Sequence, residues 1–286
     1  DNPDSSVLVL AEGGSGQQKD RTLVVANKGM RCNFFVTSGP KSTQLVFEQG
    51  LALLKIPAGK HRIKLAMWDG DPAYQPAVKA AAGKAENLSA LTRGGPAQWG
   101  EPIAVKSKLA EKEDQAYVVD RIGVPFGNPF ESRMRIGGFD FFEDGKTAAV
   151  CTWDGDVWIV SGIDEKLENV RWKRFATGLH EPLGLAISDG MIYTVGDNQV
   201  TRFHDYNQDG EADFLENFNN DWELTEGFHA FCFDLQTGPD GDFYFSMGCP
   251  VRAGGRGFER MGKHHGAILR VSKDGKHLTH HASGFR

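Results

Sequence analysis

The chain has 286 residues and a net charge of −6 at pH 7, with 40% hydrophobic and 24% charged residues. This balance is typical of a globular protein with enough apolar material for one large or two ordinary domains. The acidic charge argues against nucleic acid as a partner, because nucleic-acid-binding surfaces are basic. The sequence contains no apolar run long enough to predict a transmembrane helix.

Residues 1–72 predict a small all-β module. Short β-branched or aromatic runs follow one another, separated by Gly, Pro, Asn and Ser; they are TLVVAN, CNFFVTS, TQLVFEQ, LALLKI and HRIKLAMW. This pattern is typical of a β-sandwich-like module, and residues 57–60 (PAGK) predict a hairpin turn within it. Residues 73–116 are richer in Ala, Gly, Pro and Lys, and predict a connector that runs over the surface.

From residue 117 onward, a strand–turn–strand unit recurs. Its copies predict blades of a β-propeller near 138–183, 184–233 and 234–286, since their period of about 46 to 50 residues is that of a propeller blade. Asp154-Gly155 and Asp197-Asn198 fall where the units predict two-residue hairpin turns. Because a closed propeller needs at least four blades, we expect an incomplete propeller of the six-bladed type in a fragment, or a processed piece, of a longer protein.

A Gly-x-His segment occurs twice in this repeat. His180 in the first copy and His229 in the second predict equivalent positions that face the same opening. A neutral imidazole there could accept a proton from a substrate hydroxyl, whereas the alternative for each is a structural histidine. Glu181 and Glu226 lie beside these histidines and are suited to orienting an imidazole or to binding a metal.

The segment 205–216 matches the twelve-residue calcium loop at positions 1, 3, 5, 6, 9 and 12. Its oxygen-bearing side chains predict a structural calcium site between two blade strands; they are Asp205, Asn207, Asp209, Glu211, Asp213 and Glu216. The alternative is an acidic, solvated turn that holds no metal.

The segment 252–265 is rich in Gly and in basic residues. Arg252 and Arg256 could clamp an anionic ligand through bidentate contacts, and the alternative is a solvated loop. The four cysteines form no CxxC or CxxCH pair, so the sequence predicts neither a local zinc knuckle nor a haem attachment within these residues.

Longer stretches carry a family resemblance. His229, the run GPDGDFYFSMG at 238–248, GAILRVSKDG at 266–275 and ASGFR at 282–286 resemble the glucose/sorbosone dehydrogenase propellers. Those proteins are six-bladed, calcium-containing quinoproteins that use pyrroloquinoline quinone (PQQ). The stretches DRIGVPFGNPFE, CTWDGDVWIVSGIDEKLENVRWKRFATGLHEPLGL and DGEADFLENFNND are similar to the membrane-bound dehydrogenases abundant in planctomycetes and verrucomicrobia.

The resemblance covers residues 117–286 and implies roles for particular residues. It implies that His229 is the catalytic base and that Arg286 begins the segment that contacts the cofactor. Arg252, Arg256 and His180 are then further candidates for the PQQ site. It also implies a cytochrome c electron acceptor and a periplasmic or cell-envelope location.

Three functions compete at this point. The leading hypothesis is a PQQ-type oxidoreductase that oxidises a sugar or polyol, with His229 removing the hydroxyl proton. The second is a metal-dependent lactonase with Glu181 or Glu226 among the metal ligands. The third is a non-catalytic propeller that binds carbohydrate or a partner protein.

Overall fold

The computed structural model describes residues 5–19, 21–74, 80, 88–111, 116–224, 229–251 and 262–285. The chain divides into two compact units, Asp1–Leu88 and Ser89–Arg286. The strands of the described residues form five antiparallel sheets, which confirms the all-β prediction. In this part of the chain, no helix has the length and apolar character needed to cross a membrane.

The first unit is a two-sheet sandwich, as predicted. One sheet has the order β1-β6-β5 and the other the order β2-β3-β4-β7. The strands are β1 (Ser6–Glu12), β2 (Ser15–Lys19), β3 (Thr22–Asn27), β4 (Met30–Ser38), β5 (Gln44–Glu48), β6 (Leu51–Ile56) and β7 (Lys64–Asp69).

Alternating apolar residues of both sheets form the core of this sandwich. Leu23, Phe34, Leu45 and Leu54 are among its buried members and come from four different strands. The predicted hairpin turn at 57–60 is wrong, because it joins β6 to β7 and these strands lie in different sheets. The turn residues therefore carry the chain from one layer of the sandwich to the other.

The described residues of the second unit form three consecutive sheets, which we call sheets I, II and III. Sheet I has the order β8-β12-β11-β10-β9, and sheets II and III run in chain order. The strands of sheet I are β8 (Ile103–Ala104), β9 (Ile136–Phe141), β10 (Ala148–Thr152), β11 (Val157–Ser161) and β12 (Arg171–Ala176). Those of sheet II are β13 (Gly184–Ser188), β14 (Met191–Val195), β15 (Val200–His204) and β16 (Phe214–Asn219). Those of sheet III are β17 (Cys232–Thr237), β18 (Phe243–Met247), β19 (Ala267–Val271) and β20 (Leu278–Ser283).

Strands β9–β12 of sheet I and the four strands of each of sheets II and III form antiparallel meanders, which is the construction of a propeller blade. The starts of β9, β13 and β17 lie within two residues of the predicted blade starts. Strand β8 comes from the predicted connector, which therefore contributes the outer strand of sheet I. The sequence placed a two-residue turn at Asp154-Gly155 and another at Asp197-Asn198, but both connections are longer, because β11 begins only at Val157 and β15 only at Val200.

Apolar cores join the three sheets face to face. Between sheets I and II, Phe175 packs on Phe203 with ring centroids 6.0 Å apart. Between sheets II and III, Tyr193 packs on Phe243 at 4.5 Å. Burial of such aromatic faces stabilises the packing of successive sheets.

Glycines let the innermost strands of neighbouring sheets touch through their backbones. A Cβ on Gly137 would lie 2.2 Å from the carbonyl oxygen of Pro182, and one on Gly184 would lie 2.6 Å from the amide nitrogen of Leu235. No side chain fits at such distances. A hydrogen bond of 3.2 Å from the Asp234 N–H to the Leu183 carbonyl also joins sheets II and III.

All four cysteines lie in described segments, and none forms a disulfide. Cys151 and Cys232 are buried in strands β10 and β17, where burial raises the pKa of both thiols. They therefore pack as small apolar side chains.

We expect Gly184→Ala to lower the free energy of unfolding by about 2 kcal/mol, because the added methyl group must push two inner strands apart. Gly127→Ala is the matched control, since a Cβ there meets no atom within 4 Å. Urea unfolding of both variants measures the difference. Equal stabilities would show that the inner junction is loose enough to admit a side chain.

Candidate functional site

We count the strands of sheet I from β9, those of sheet II from β13 and those of sheet III from β17. The segment that leads into the first of these strands and the connection between the second and third lie at the same end of the sheet, because neighbouring strands are antiparallel. We call this the site edge. In sheet II it carries His180 and Glu181, just before β13, and Asp197, just after β14. In sheet III it carries His229, just before β17. The predicted candidate histidines therefore lie at the same edge of neighbouring sheets.

Backbone contacts link the site edges of successive sheets. The Leu179 N–H donates to the Gly155 carbonyl of sheet I at 3.1 Å. The Cys232 N–H, at the start of sheet III, donates to the Asp197 carboxylate of sheet II at 3.1 Å. Each connection between second and third strands thus binds the segment that leads into the next sheet.

The repeated histidines make the same backbone contact. A Cβ on Gly196 would lie 2.3 Å from the His180 carbonyl oxygen, and one on Gly248 would lie 2.3 Å from that of His229. Both imidazoles belong to exposed residues. The repeat seen in the sequence therefore corresponds to a repeated packing relation, although the two histidines border different cavities.

Asp197 and Glu181 form a carboxyl pair beside His180. Burial raises the pKa of Asp197 to about 6, against the opposing hydrogen bond from Cys232 N–H. The neighbouring Glu181 carboxyl raises this pKa further, through its charge and its hydrogen bond, whereas nearby His180 acts in the other direction. Two carboxyl groups that share a site cannot both ionise easily, so Asp197 keeps its proton up to a pH of about 6.

Both members of the pair are held in place by backbone. Glu181 has a left-handed backbone conformation, with φ of 46°, which is uncommon for a residue with a side chain. The Asp197 carbonyl accepts a hydrogen bond from the Trp222 indole at 2.8 Å. Strained or fully bonded backbone fixes the direction of a side chain, as functional sites require.

Arg135 and Trp153 extend the site edge into sheet I. The Arg135 guanidinium binds both oxygens of Asp154, at 2.6 and 2.9 Å, and this holds the pKa of Asp154 below its usual range. It also lies 4.7 Å above the Trp153 ring and within electrostatic range of Glu181. Trp153 in turn meets Phe231 of sheet III edge to face at 5.5 Å. Cationic and aromatic groups thus adjoin the carboxyl pair.

His229 lines a separate pocket of about 590 Å³ on sheet III. Its neighbours there are mostly apolar and include Phe233, Met247, Ile268 and Phe285. Besides His229, the described lining residues that carry a hydroxyl, thiol or ionisable group are Ser246 and Cys249. His229 has a φ of 73°, so its backbone is also in the left-handed region.

Four residues predicted for the site lie outside the described residues: Arg252, Arg256, Arg286 and Glu226. PQQ is a tricarboxylate and needs cationic partners, and the described residues around His229 include neither Arg nor Lys. The arginines predicted to hold the cofactor lie outside the described residues, so PQQ binding at this pocket stays a prediction. His180 borders a different cavity, of about 130 Å³.

The segment 205–216 connects β15 to β16 and continues into β16. Asp205, Asn207 and Asp209 accept hydrogen bonds from backbone N–H groups of the loop itself. Glu211 and Asp213 accept them from the preceding segment 95–99. Among the described residues, no three His, Cys, Asp or Glu side chains are grouped so that they could hold a metal ion.

Glu216, the last predicted ligand, lies on β16, and its carboxylate is bound by two side chains of the neighbouring strand. Arg202 donates to it at 2.7 Å and His204 at 2.6 Å. Partial burial is the largest single influence on the pKa of Glu216 and acts to raise it, but the combined effect of the Arg202 and His204 contacts outweighs it and lowers the pKa. Whether the loop binds calcium stays a prediction.

Comparison with known proteins leaves the family open. No family model and no curated protein matches the chain. A structural genomics protein of unknown function from Bacteroides thetaiotaomicron is similar, with 11% identity, a TM-score of 0.36, and coverage of 96% of this chain and 59% of that one. A "putative 6-phosphogluconolactonase" from Bacteroides uniformis is similar with 13% identity, a TM-score of 0.30, and coverage of 94% and 66%. The chain thus spans about three fifths to two thirds of these proteins, and at such scores neither similarity bears on its function.

Sequence reasoning singled out Glu181 but missed its partner. Asp197 was noted only as a turn residue, and Arg135 and Trp153 were not considered. The available signal was the repeat itself, since Asp154 and Asp197 occupy corresponding connections of consecutive units. Acidic residues at corresponding positions of two blades predict a shared edge, but not which of them is buried.

The raised pKa of Asp197 predicts a pH-dependent stability. Native Asp197 keeps its proton up to a pH of about 6, whereas an unfolded Asp releases it near pH 4. Between these values the unfolded chain binds fewer protons, so the contribution of Asp197 to the free energy of unfolding falls as the pH rises. Above about pH 6, the contribution of Asp197 to the free energy of unfolding no longer changes with pH.

Urea unfolding of the wild type and of Asp197→Asn between pH 4 and 7 tests this. We expect the difference between their unfolding free energies, wild type minus variant, to decrease from pH 4 to pH 6 and then to stay constant. A difference that is independent of pH would contradict the raised pKa.

Proposed function

We propose that this chain is a hydrolase of the lactonase class in which Glu181 and Asp197 are the general base and general acid. The observation that carries the proposal is the pKa of Asp197, raised to about 6 beside a second carboxyl group. Perturbed pKa values of this kind cluster at catalytic sites. Pairs of carboxyl groups in unlike environments divide the acid and base roles between them.

The chemistry follows from the two protonation states. The Glu181 carboxylate removes a proton from a water molecule as its oxygen attacks the lactone carbonyl carbon. Asp197, which is partly protonated near neutral pH, gives its proton to the ring oxygen as the acyl C–O bond breaks. The product is the open-chain hydroxy acid, and solvent exchange returns the proton from Glu181 to Asp197.

The surroundings of the pair suit this reaction. Arg135 brings positive charge to the same edge and is held in place by Asp154, so it can stabilise negative charge on the carbonyl oxygen in the transition state. Trp153 and Phe231 supply an aromatic wall beside it, against which the apolar face of a sugar-derived lactone can pack.

The sequence suggested a metal-dependent lactonase, and Glu226 was one of its two candidate ligands. Glu226 lies outside the described residues, so the structure gives no position for it. Among the residues that the structure does describe, the His, Cys, Asp and Glu side chains form no group of three suited to a metal. The mechanism above therefore uses only the carboxyl pair.

A sugar or polyol oxidoreductase is the second candidate. The observation in its favour is that His229 lines a pocket large enough for a small substrate. Because the arginines predicted to hold PQQ lie outside the described residues, we derive no step through the quinone. The cytochrome c partner and the periplasmic or cell-envelope location implied by the family resemblance stay predictions.

Hydrolysis of a panel of sugar lactones, followed by acid release, tests the first candidate. We expect Glu181→Gln and Asp197→Asn to lower kcat/KM by about 100-fold or more, because each removes one proton-transfer group. Asp189→Asn is the matched control; its carboxyl is exposed, at the opposite edge of sheet II, and we expect it to keep the wild-type rate.

The wild-type rate should also decline above pH 6, as Asp197 loses its proton. Lactone hydrolysis that both pair variants retain would contradict the assignment of the pair. Absence of lactone turnover, together with sugar-dependent dye reduction that requires PQQ and is lost in His229→Gln, would favour the second candidate instead.

A further inference from the structure

The acidic loop 205–213 has no carboxylate oxygen without a hydrogen-bond donor. Its four acidic residues present eight oxygens, and each accepts from an N–H group. For Asp205 and Asp209 the donors come from the loop, whereas for Glu211 and Asp213 most of them come from elsewhere. A calcium loop instead directs such oxygens to one point between them.

Three side chains of the loop hold the segment 94–99. The Glu211 carboxylate accepts from Gln98 N–H at 2.6 Å and from Trp99 N–H at 3.1 Å. Asp213 accepts from Gly95 N–H at 2.6 Å, and the Asn207 amide donates to the Gly95 carbonyl at 2.5 Å. Hydrogen bonds from backbone N–H to a carboxylate are charge-assisted and stronger than neutral ones.

A lysine supplies positive charge to the same loop. The Lys173 ammonium, on β12 of sheet I, donates to the Asp209 carbonyl and lies 3.9 Å from the Glu211 carboxylate. Both Lys173 and Glu211 have largely buried side chains, with 20% and 7% exposed. Burial strengthens their attraction and removes competing water.

The loop therefore ties together elements that are far apart in the sequence. The Ala212 N–H donates to the Phe175 carbonyl of β12 at 2.8 Å, which joins the loop of sheet II to sheet I. Trp99 lies 5.4 Å from the Arg174 guanidinium of the same strand. The held segment continues directly into β8, the outer strand of sheet I.

We propose that the loop 205–213 is a metal-independent clamp, with Lys173 as its resident cation and the segment 94–99 as its bound partner. Its acidic residues serve to accept backbone N–H groups of this segment, and they do not converge on an ion. The clamp fixes the outer strands of sheets I and II to each other, on the opposite side of the sheets from the inner glycine junctions.

Two residues distinguish the clamp from a calcium loop. In a calcium loop, position 7 contributes its backbone carbonyl and position 12 its bidentate carboxylate. Here these positions are Glu211 and Glu216. The clamp depends on the side chain of Glu211, whereas the side chain of Glu216 lies outside it and is bound to Arg202 and His204. A calcium loop, in contrast, depends on the carboxylate at the position of Glu216 and not on the side chain at the position of Glu211.

Hydrogen–deuterium exchange of the whole chain, with calcium or with chelator, tests the proposal. We expect Glu211→Ala to accelerate exchange in peptides covering residues 95–104 by about tenfold or more, because two amides lose a charged acceptor. We expect the control Glu216→Ala to leave these peptides within about twofold of the wild type. Calcium should change neither the exchange nor the melting temperature of the wild type.

Should Glu211→Ala fail to fold, Lys173→Met provides a second test, and we expect it to accelerate exchange in the same peptides. A wild type whose melting temperature rises by several degrees with calcium, an effect lost in Glu216→Ala, would overturn the proposal. So would unchanged exchange at 95–104 in both Glu211→Ala and Lys173→Met.

Discussion

Backbone contact between the innermost strands of sheets I, II and III is the constraint on which the second unit depends. Gly137 and Gly184 let one strand approach the next to a distance at which no Cβ fits. The same device recurs at the site edge, where Gly196 and Gly248 receive the carbonyl oxygens of His180 and His229. These contacts fix how far each sheet can move relative to its neighbour, so they also fix the loops between sheets.

The carboxyl pair is a consequence of this close approach. Asp197 is drawn toward sheet III by the Cys232 N–H and is partly buried as a result. Glu181 reaches it from the segment that leads into sheet II. Burial that destabilises an ionised carboxylate is also what gives it a pKa near neutrality, and this coupling of stability to chemistry is common at catalytic sites.

The repeat predicted the sheets well because strand patterns and turn residues are local signals. The start of each sheet, the sandwich and the equivalence of His180 and His229 all follow from such signals. The partnership of Glu181 with Asp197 could not be predicted, since burial and distance depend on how two sheets pack. The surroundings of the calcium motif were equally hidden from the sequence. Residues 205–216 match the calcium pattern at positions 1, 3, 5, 6, 9 and 12, while a donor to Glu211 comes from a segment more than a hundred residues away. The turn residues at 57–60 likewise predict a hairpin, because the sequence does not show that the strands on either side belong to different sheets.

The titration of the Asp197 carboxyl carbon by NMR tests the central claim most directly, with Glu181→Gln as the comparison. A shared site predicts an apparent pKa of about 6 for Asp197 in the wild type. It predicts a lower value in Glu181→Gln, because the variant removes the neighbouring charge and offers an amide donor to the Asp197 carboxylate. An Asp197 that titrates near pH 4 in both proteins would contradict the existence of a coupled carboxyl pair.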